Sequence, residues 1–408
     1  MPLEKPVLPL PRRPWSDFGA VYAGNAVVAF LFASSGPVAI VLTVGARGGL
    51  SESDLASWVF SAFFLNGLIT IAVSLLYRQP LVFFWTIPGT VLVGPALTHL
   101  TFPEVIGAFI ATGLLMMFLG LTGLVRRVMD AIPMPIVMAM VAGVFLRFGI
   151  DLVHAFRGDG FWIALSMTAT FFALSAVPQF APKVPPLIVA LLVGVVVVWL
   201  LGSFNPPAGT LFEFAKPNLY VPQFSWPAMV ELVVPLAVTV LVVQNGQGIA
   251  ILTASGHKPP VNAITTICGA GSLLTAVFGA VSTCLTGPVN AILASSGEKQ
   301  RQYTGAIFVG LLALAFGLTA PFFTRLMLAT PPAFIATLAG LAMLRVLQTS
   351  FQISFRDKFS FGALICFVVT VADVPIFRIG APFWGLVFGI AASHLLERGD
   401  FKRETPEP

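Results

Sequence analysis

Apolar residues in this chain come in long runs punctuated by charges, Pro and Gly. The runs lie near 18–45, 55–77, 84–100, 105–124, 133–150, 161–178, 186–202, 228–252, 261–278, 284–297, 303–323, 331–347, 359–372 and 380–396. A helix needs about 20 residues to cross hydrocarbon, so most of these runs predict membrane spans. Those at 84–100 and 284–297 fall short as plain helices. Helices apolar all round carry a weak periodic signal, which leaves a count of 12 open beside 14.

Composition removes the soluble alternatives. Of 408 residues, 57% are apolar and 10% charged, with a mean hydropathy of +0.94. Soluble domains carry about 25% charged residues because their surface must meet water. The excess apolar surface must therefore face lipid, which excludes a soluble enzyme with an appended anchor. The net charge of +5 comes from 22 Lys and Arg spread without a basic tract, so they read as topology signals and not as a nucleic-acid surface. Cys268, Cys284 and Cys366 lie in apolar stretches without metal or disulfide spacing and read as small core residues. No metal or other cofactor is expected. Met1 to Pro14 is Pro-rich and basic, with no cleavable signal behind it, and reads as an uncleaved cytoplasmic leader. With fourteen spans and both termini inside, 16 of the Lys and Arg fall on the cytoplasmic side and 6 on the other.

Sliding the chain on itself reveals a repeat. An offset of 198 brings Gly89 onto Gly287, Val91 onto Val289, Gly107 onto Gly305, Pro133 onto Pro331 and Arg147 onto Arg345. An offset of 210 places Ser34–Thr43 on Gln244–Thr253. Seven spans per unit is an odd number, so the second unit enters the membrane from the opposite side. The expected fold is an all-α polytopic membrane protein with 14 transmembrane segments in a 7+7 inverted repeat, an architecture common among secondary transporters.

The third segment, Leu81–Leu97, and the tenth, Ala280–Leu293, each meet a Pro-Gly or Gly-Pro pair midway. Pro removes a donor and restricts the residue before it, so each segment is expected to be a short strand followed by a half-helix. Two half-helices that start within the bilayer aim unpaired N–H groups and positive dipole ends at one place, near Thr90 and near Pro288, which suits a small anion. A simple pair of kinked helices is the alternative.

Around that place the sequence supplies neutral hydrogen-bonding groups. Gln244, Asn245 and Gln247 form a polar island in an apolar run, where unpaired amides are costly. Ser34 and Ser35 hold the repeat-related position, and Thr286 and Asn290 flank the second break. Phe83, Phe84 and Trp85 are candidates for an aromatic-accepting slot. No Asp or Glu sits well inside a span; Glu231, near the start of the eighth, is the weak choice for a proton carrier against an interfacial anchor.

Gln244-Asn245 followed by Gly, the breaks at Pro88-Gly89 and Gly287-Pro288, and the 7+7 plan resemble the benzoate membrane transport protein family, the benzoate:proton symporters, over residues 15 to 396. That family is similar in plan to uracil/xanthine and sulfate-type anion transporters. The resemblance implies a cytoplasmic leader (1–14), a core of spans 1–4 (15–127) and 8–11 (228–324), and a gate of spans 5–7 (128–202) and 12–14 (325–396). It further implies an extracytoplasmic loop (203–227) and a cytoplasmic tail (397–408). Substrate would lie among Ser34, Ser35, Thr86, Gly89, Thr90, Gln244, Asn245, Gln247, Thr286, Gly287, Pro288 and Asn290.

Nucleobase carriers of the wider group use acidic residues on the eighth and tenth spans, whereas Gln244 and Gly287-Pro288-Val289 supply none here. The resemblance thus implies proton-coupled uptake of benzoate or a similar aromatic monocarboxylate across the bacterial inner membrane, in lipid, by a homodimer. A facilitative carrier or exchanger for another small anion is the rival, and an anion channel the next. No constellation of catalytic groups suggests an enzyme.

Overall fold

The computed structural model describes residues 3–7, 16–177, 185–205, 212–295, 297–377 and 379–401, with the side chain of Asp130 excepted. Most of the leader and of the C-terminal tail, together with Lys183 and Arg378 of the charge map, lie outside the described residues. Helices, or a strand and a helix, lie over each of the apolar runs in turn. Among the described residues, seven stretches are long and apolar enough to cross a membrane: Ala20–Arg47, Glu52–Tyr77, Phe102–Thr122, Met134–His154, Trp226–Ala254, Lys299–Leu318 and Pro332–Phe355. Shorter apolar helices complete the chain, among them Phe161–Ser175, Pro186–Leu200, Val261–Ala276, Ser360–Ala372 and Ala381–Leu396. The protein is an all-α polytopic membrane protein.

Three of the long stretches are not uniform helices. Ala20–Ser34 gives way at Ser35, whose ψ of −99° lies outside helical values, and Gly36–Arg47 resumes behind Pro37. Glu52–Tyr77 and Trp226–Ala254 each contain a π-helical segment, Ser61–Leu65 and Thr239–Asn245. Such a widened turn lets ladder groups look for partners outside their own helix, and it recurs at functional sites.

Packing sorts the helices into two groups. In one, Phe102–Thr122 lies along Val261–Ala276, Asn66–Tyr77 along Tyr303–Leu318, and Ala20–Ser34 against Gly287–Ala294. Small residues bring the first pair together: a Cβ on Gly269 would sit 2.7 Å from the Gly113 carbonyl oxygen. Where lipid and protein are equally apolar, such close backbone contact is what favours helix association. In the other group Met134–His154 packs on Pro332–Phe355 and Ser360–Ala372, and Phe161–Ser175 on Pro186–Leu200.

Loops are pinned to the helix ends. The Glu4 carboxylate accepts from the backbone N–H groups of Asn262 and Ala263 at 3.2 and 3.0 Å, so the described part of the leader caps Val261–Ala276. Across the long loop, Asn218 N–H donates to Ser57 Oγ at 2.9 Å, Tyr220 donates to Asp54, and Arg325 pairs with Glu52 and Glu213.

Candidate functional site

Two three-residue strands, β1 (Phe83–Trp85) and β2 (Thr283–Leu285), pair antiparallel with Phe84 opposite Cys284. The pairing extends symmetrically, with Thr86 N–H donating to Ser282 O and Thr286 N–H to Val82 O, both at 3.0 Å. Each strand feeds a half-helix, Ile87–Ala96 and Gly287–Ala294. The two third-and-tenth-segment breaks expected from the Pro and Gly pairs are therefore present, and β-structure joins them. Four residues separate Val82 from Thr86, so the half-helix starts lie about 13 Å apart along the strand pair.

Isolated at this depth, a two-stranded pair leaves both edges unsatisfied. Side chains fill them. Thr70 Oγ1 accepts from Phe83 N–H at 2.9 Å, and Asn290 Oδ1 from Val82 N–H at 3.0 Å. On β2, Asn245 Oδ1 accepts from Leu285 N–H at 2.8 Å and Ser272 Oγ from Thr283 N–H at 2.9 Å. Asn245 and Asn290 are thus committed to holding the strands, an assignment that residue type alone does not reveal.

The half-helix starts differ. Thr86 Oγ1 accepts from Gly89 N–H at 3.1 Å, capping the first. Thr286 instead donates its hydroxyl to Val82 O at 3.1 Å and leaves the second without a side-chain cap. Beside that uncapped end lies Gln247, exposed, with its Oε1 2.5 Å from where a Cβ on Gly287 would stand. Gln247 and the buried Gln244 have no hydrogen-bond partner among the described residues, in contrast to Asn245. Ser34, Ser35 and Thr90 satisfy their hydroxyls locally, on Leu31 O, Phe32 O and Thr86 O. Pro288 is partly exposed and Gly89 is buried.

Phe83, Phe84 and Trp85 do not form an open slot. All three are at most 3% exposed, and Phe84 and Trp85 pack on Phe63, which also meets Phe316, in an aromatic cluster. Alternation along a three-residue strand cannot free both faces when each is covered by a helix.

Glu231, 5% exposed, meets His99 with Oε2 and Nε2 2.9 Å apart, and its other oxygen lies where a Cβ on Gly380, at the start of Ala381–Leu396, would stand. Glu231 is distant in sequence from both partners, and no local pattern announces this arrangement. Nearby is a cavity of about 160 Å³ lined by Thr43, Val44, Arg47, Val91, Arg147 and Asp373, among others. Arg47 pairs with Asp151 at 2.8 Å, and Arg147 with Asp373 at 3.5 Å. Sequence reading treated these arginines as topology signals only; the visible clue was the alignment of Arg147 with Arg345.

Known proteins of like sequence and shape match nearly the whole chain. The family model described as benzoate membrane transport protein (BenE) matches residues 16–395. The chain is 31% identical over 372 residues to the inner membrane protein YdcO of Escherichia coli K12, covering 90% of this chain and 93% of that one. It is 28% identical over 390 residues to the benzoate membrane transport protein of Acinetobacter baylyi, covering 94% and 96%.

Among solved structures, the transmembrane domain of the cyanobacterial bicarbonate transporter BicA superposes with a TM-score of 0.62 at 16% identity, over 95% of this chain and 99% of that one. The murine anion transporter Slc26a9 in its inward-facing state gives 0.64 at 13% identity, over 95% and 69%. These two likenesses concern the fold. By sequence, the chain belongs to the benzoate membrane transport protein family.

Proposed function

We propose that this protein is a secondary active transporter of the bacterial inner membrane that carries benzoate or a similar aromatic monocarboxylate together with a proton. The observation that carries the reading is the uncapped start of Gly287–Ala294 beside Gln244 and Gln247. The first N–H groups of a helix and two unengaged amides are donors without acceptors, and a carboxylate supplies acceptors. No carboxylate side chain among the described residues competes there. The ring of the substrate then lies along the strand pair toward Thr86, Gly89 and Thr90, with Ser34 and Ser35 on the broken first span beside it. Family membership and the name of the Acinetobacter relative support benzoate as the acid.

The architecture in this reading is fourteen spans in two oppositely inserted units of seven. Support comes from the paired strand and half-helix elements, and from Pro133 and Pro331, which an offset of 198 relates and which both serve as N-caps of long helices. The two packed groups of helices correspond to core and gate, and substrate moves as they shift against each other. Glu231 is the proton carrier, because its carboxylate on one group touches Gly380 on the other and a change of its charge acts on their contact. Both termini are cytoplasmic and the gate supports a homodimer.

Uptake into proteoliposomes tests this reading, with aromatic acids, nucleobases and sulfate supplied with and without an imposed pH gradient. Accumulation of benzoate driven by the gradient is expected; uptake that only equilibrates would replace symport by facilitated diffusion, and conductance without saturation would replace both by a channel. Glu231→Gln should abolish gradient-driven accumulation while exchange persists. Unchanged accumulation in that variant would remove Glu231 from the mechanism.

A further inference from the structure

Arg345 lies in a helix long and apolar enough to cross a membrane. It follows Pro332 by 13 residues in the helix Pro332–Phe355, is exposed, and makes no ion pair among the described residues. Its Nη1 donates to Gln348 Oε1 at 3.1 Å, on its own helix. A guanidinium on a membrane helix reaches an aqueous cavity, an anion or the interface at the helix end, since lipid cannot solvate it. The face it occupies is fixed one turn earlier, where Ala342 presses on Gly36 at the break of the first span, beside Ser35. Residues three apart share a helix face, so Arg345 borders the space next to that break.

The repeat gives Arg345 a counterpart. Arg147, an offset of 198 away, follows Met134 by 13 residues and lines the cavity described above. The cavity-lining residues Thr43, Val44, Val91 and Val144 correspond, by the offsets of 210 and 198, to Thr253, Ala254, Val289 and Ala342. The two sets differ in closure. Val44 is 4% exposed, whereas Thr253 and Ala254 are exposed. On the Arg147 side, Gly36–Arg47 packs on Pro332–Phe355 and Ile87–Ala96 on Met134–His154. No comparable packing joins Gly246–Ala254 to Met134–His154, or Gly287–Ala294 to Pro332–Phe355, among the described residues. By this packing the mouth on the Arg147 side is closed and the related mouth on the Arg345 side is open, while both arginine side chains are exposed.

We propose that Arg345 captures the substrate carboxylate at the open mouth, and that Arg147 does so at the other mouth when the two units exchange conformations. Resting on the transport reading above, this adds two residues that the half-helix site does not contain. At the closed mouth Asp373 pairs with Arg147 at 3.5 Å, in the place of the carboxylate; at the open mouth no acidic side chain among the described residues pairs with Arg345. Arginine suits the task because its planar donor pair matches a carboxylate's two oxygens.

The test is benzoate transport measured separately from each face of oriented proteoliposomes, for wild type, Arg345→Gln, Arg345→Lys and Arg147→Gln. Arg345→Gln should raise KM at the face of the open mouth at least about tenfold and change it less than about twofold at the other face. Arg345→Lys should recover only part of the loss, since it restores the charge and not the planar donor pair, and Arg147→Gln should show the opposite sidedness. Thermal unfolding and chromatographic profile report whether each variant is folded. If wild type accumulates no benzoate, the transport reading itself falls. If wild type does and folded Arg345→Gln keeps its KM at both faces, or loses affinity equally at both, the role of Arg345 alone is overturned.

Discussion

The two half-helices start from the same local design and differ in what their first N–H groups find. At Thr86 the threonine hydroxyl accepts from Gly89, so that end is satisfied from within. At Thr286 the hydroxyl turns back to Val82, and the end opens toward Gln247. The two ends are not chemically equivalent: one threonine hydroxyl serves its own helix start, and the other serves the strand pair and leaves its helix start without a side-chain cap, where the proposed reading puts the ligand.

Substitutions at the two ends should separate these roles. The largest effect is expected at the free end. Gly287→Leu places a side chain where Gln247 now lies, and folded protein should lose more than about a hundredfold in benzoate uptake; near-normal affinity would move the ligand elsewhere. Asn245→Leu comes next and differs in kind. It leaves the buried Leu285 N–H without its acceptor, at a cost of about 1–3 kcal/mol, and should lower thermal stability together with uptake.

Gln247→Ala is expected to raise KM about tenfold with little change in stability, since the amide has no protein partner to abandon. Thr86→Val is the smallest. Loss of a cap costs about 1 kcal/mol of stability, seen in thermal unfolding, with KM within about threefold of wild type. A large rise in KM there, with none at Gln247, would reverse the assignment of the two ends.

Much of this was legible in the residues. Runs without charge located most helices to within a few residues, although Pro332–Phe355 continues eight residues past its run, and Pro88-Gly89 and Gly287-Pro288 located both breaks because each pair removes a donor or relaxes the backbone at a defined point. The polar island at Gln244–Gln247 stood out for the same reason, as groups with no business in lipid unless paired. Within that island, composition could not divide the labour. Asn245 and Gln247 are two residues apart with the same functional group, and only the approach of β2 gives one of them a backbone partner. The aromatic triplet Phe83–Trp85 likewise looked available until the helices on both sides buried it.

The sequence by itself determined that the chain lives in a membrane and where two of its segments break, because these follow from local backbone chemistry and from the balance of apolar and charged residues. Tertiary structure alone decided which hydroxyl caps a helix, that Glu231 meets His99 and Gly380, and that Arg147 gains an acidic partner while Arg345 pairs with none among the described residues. Those outcomes depend on contacts between segments more than a hundred residues apart, and nothing in a single stretch of chain encodes which distant partner will arrive.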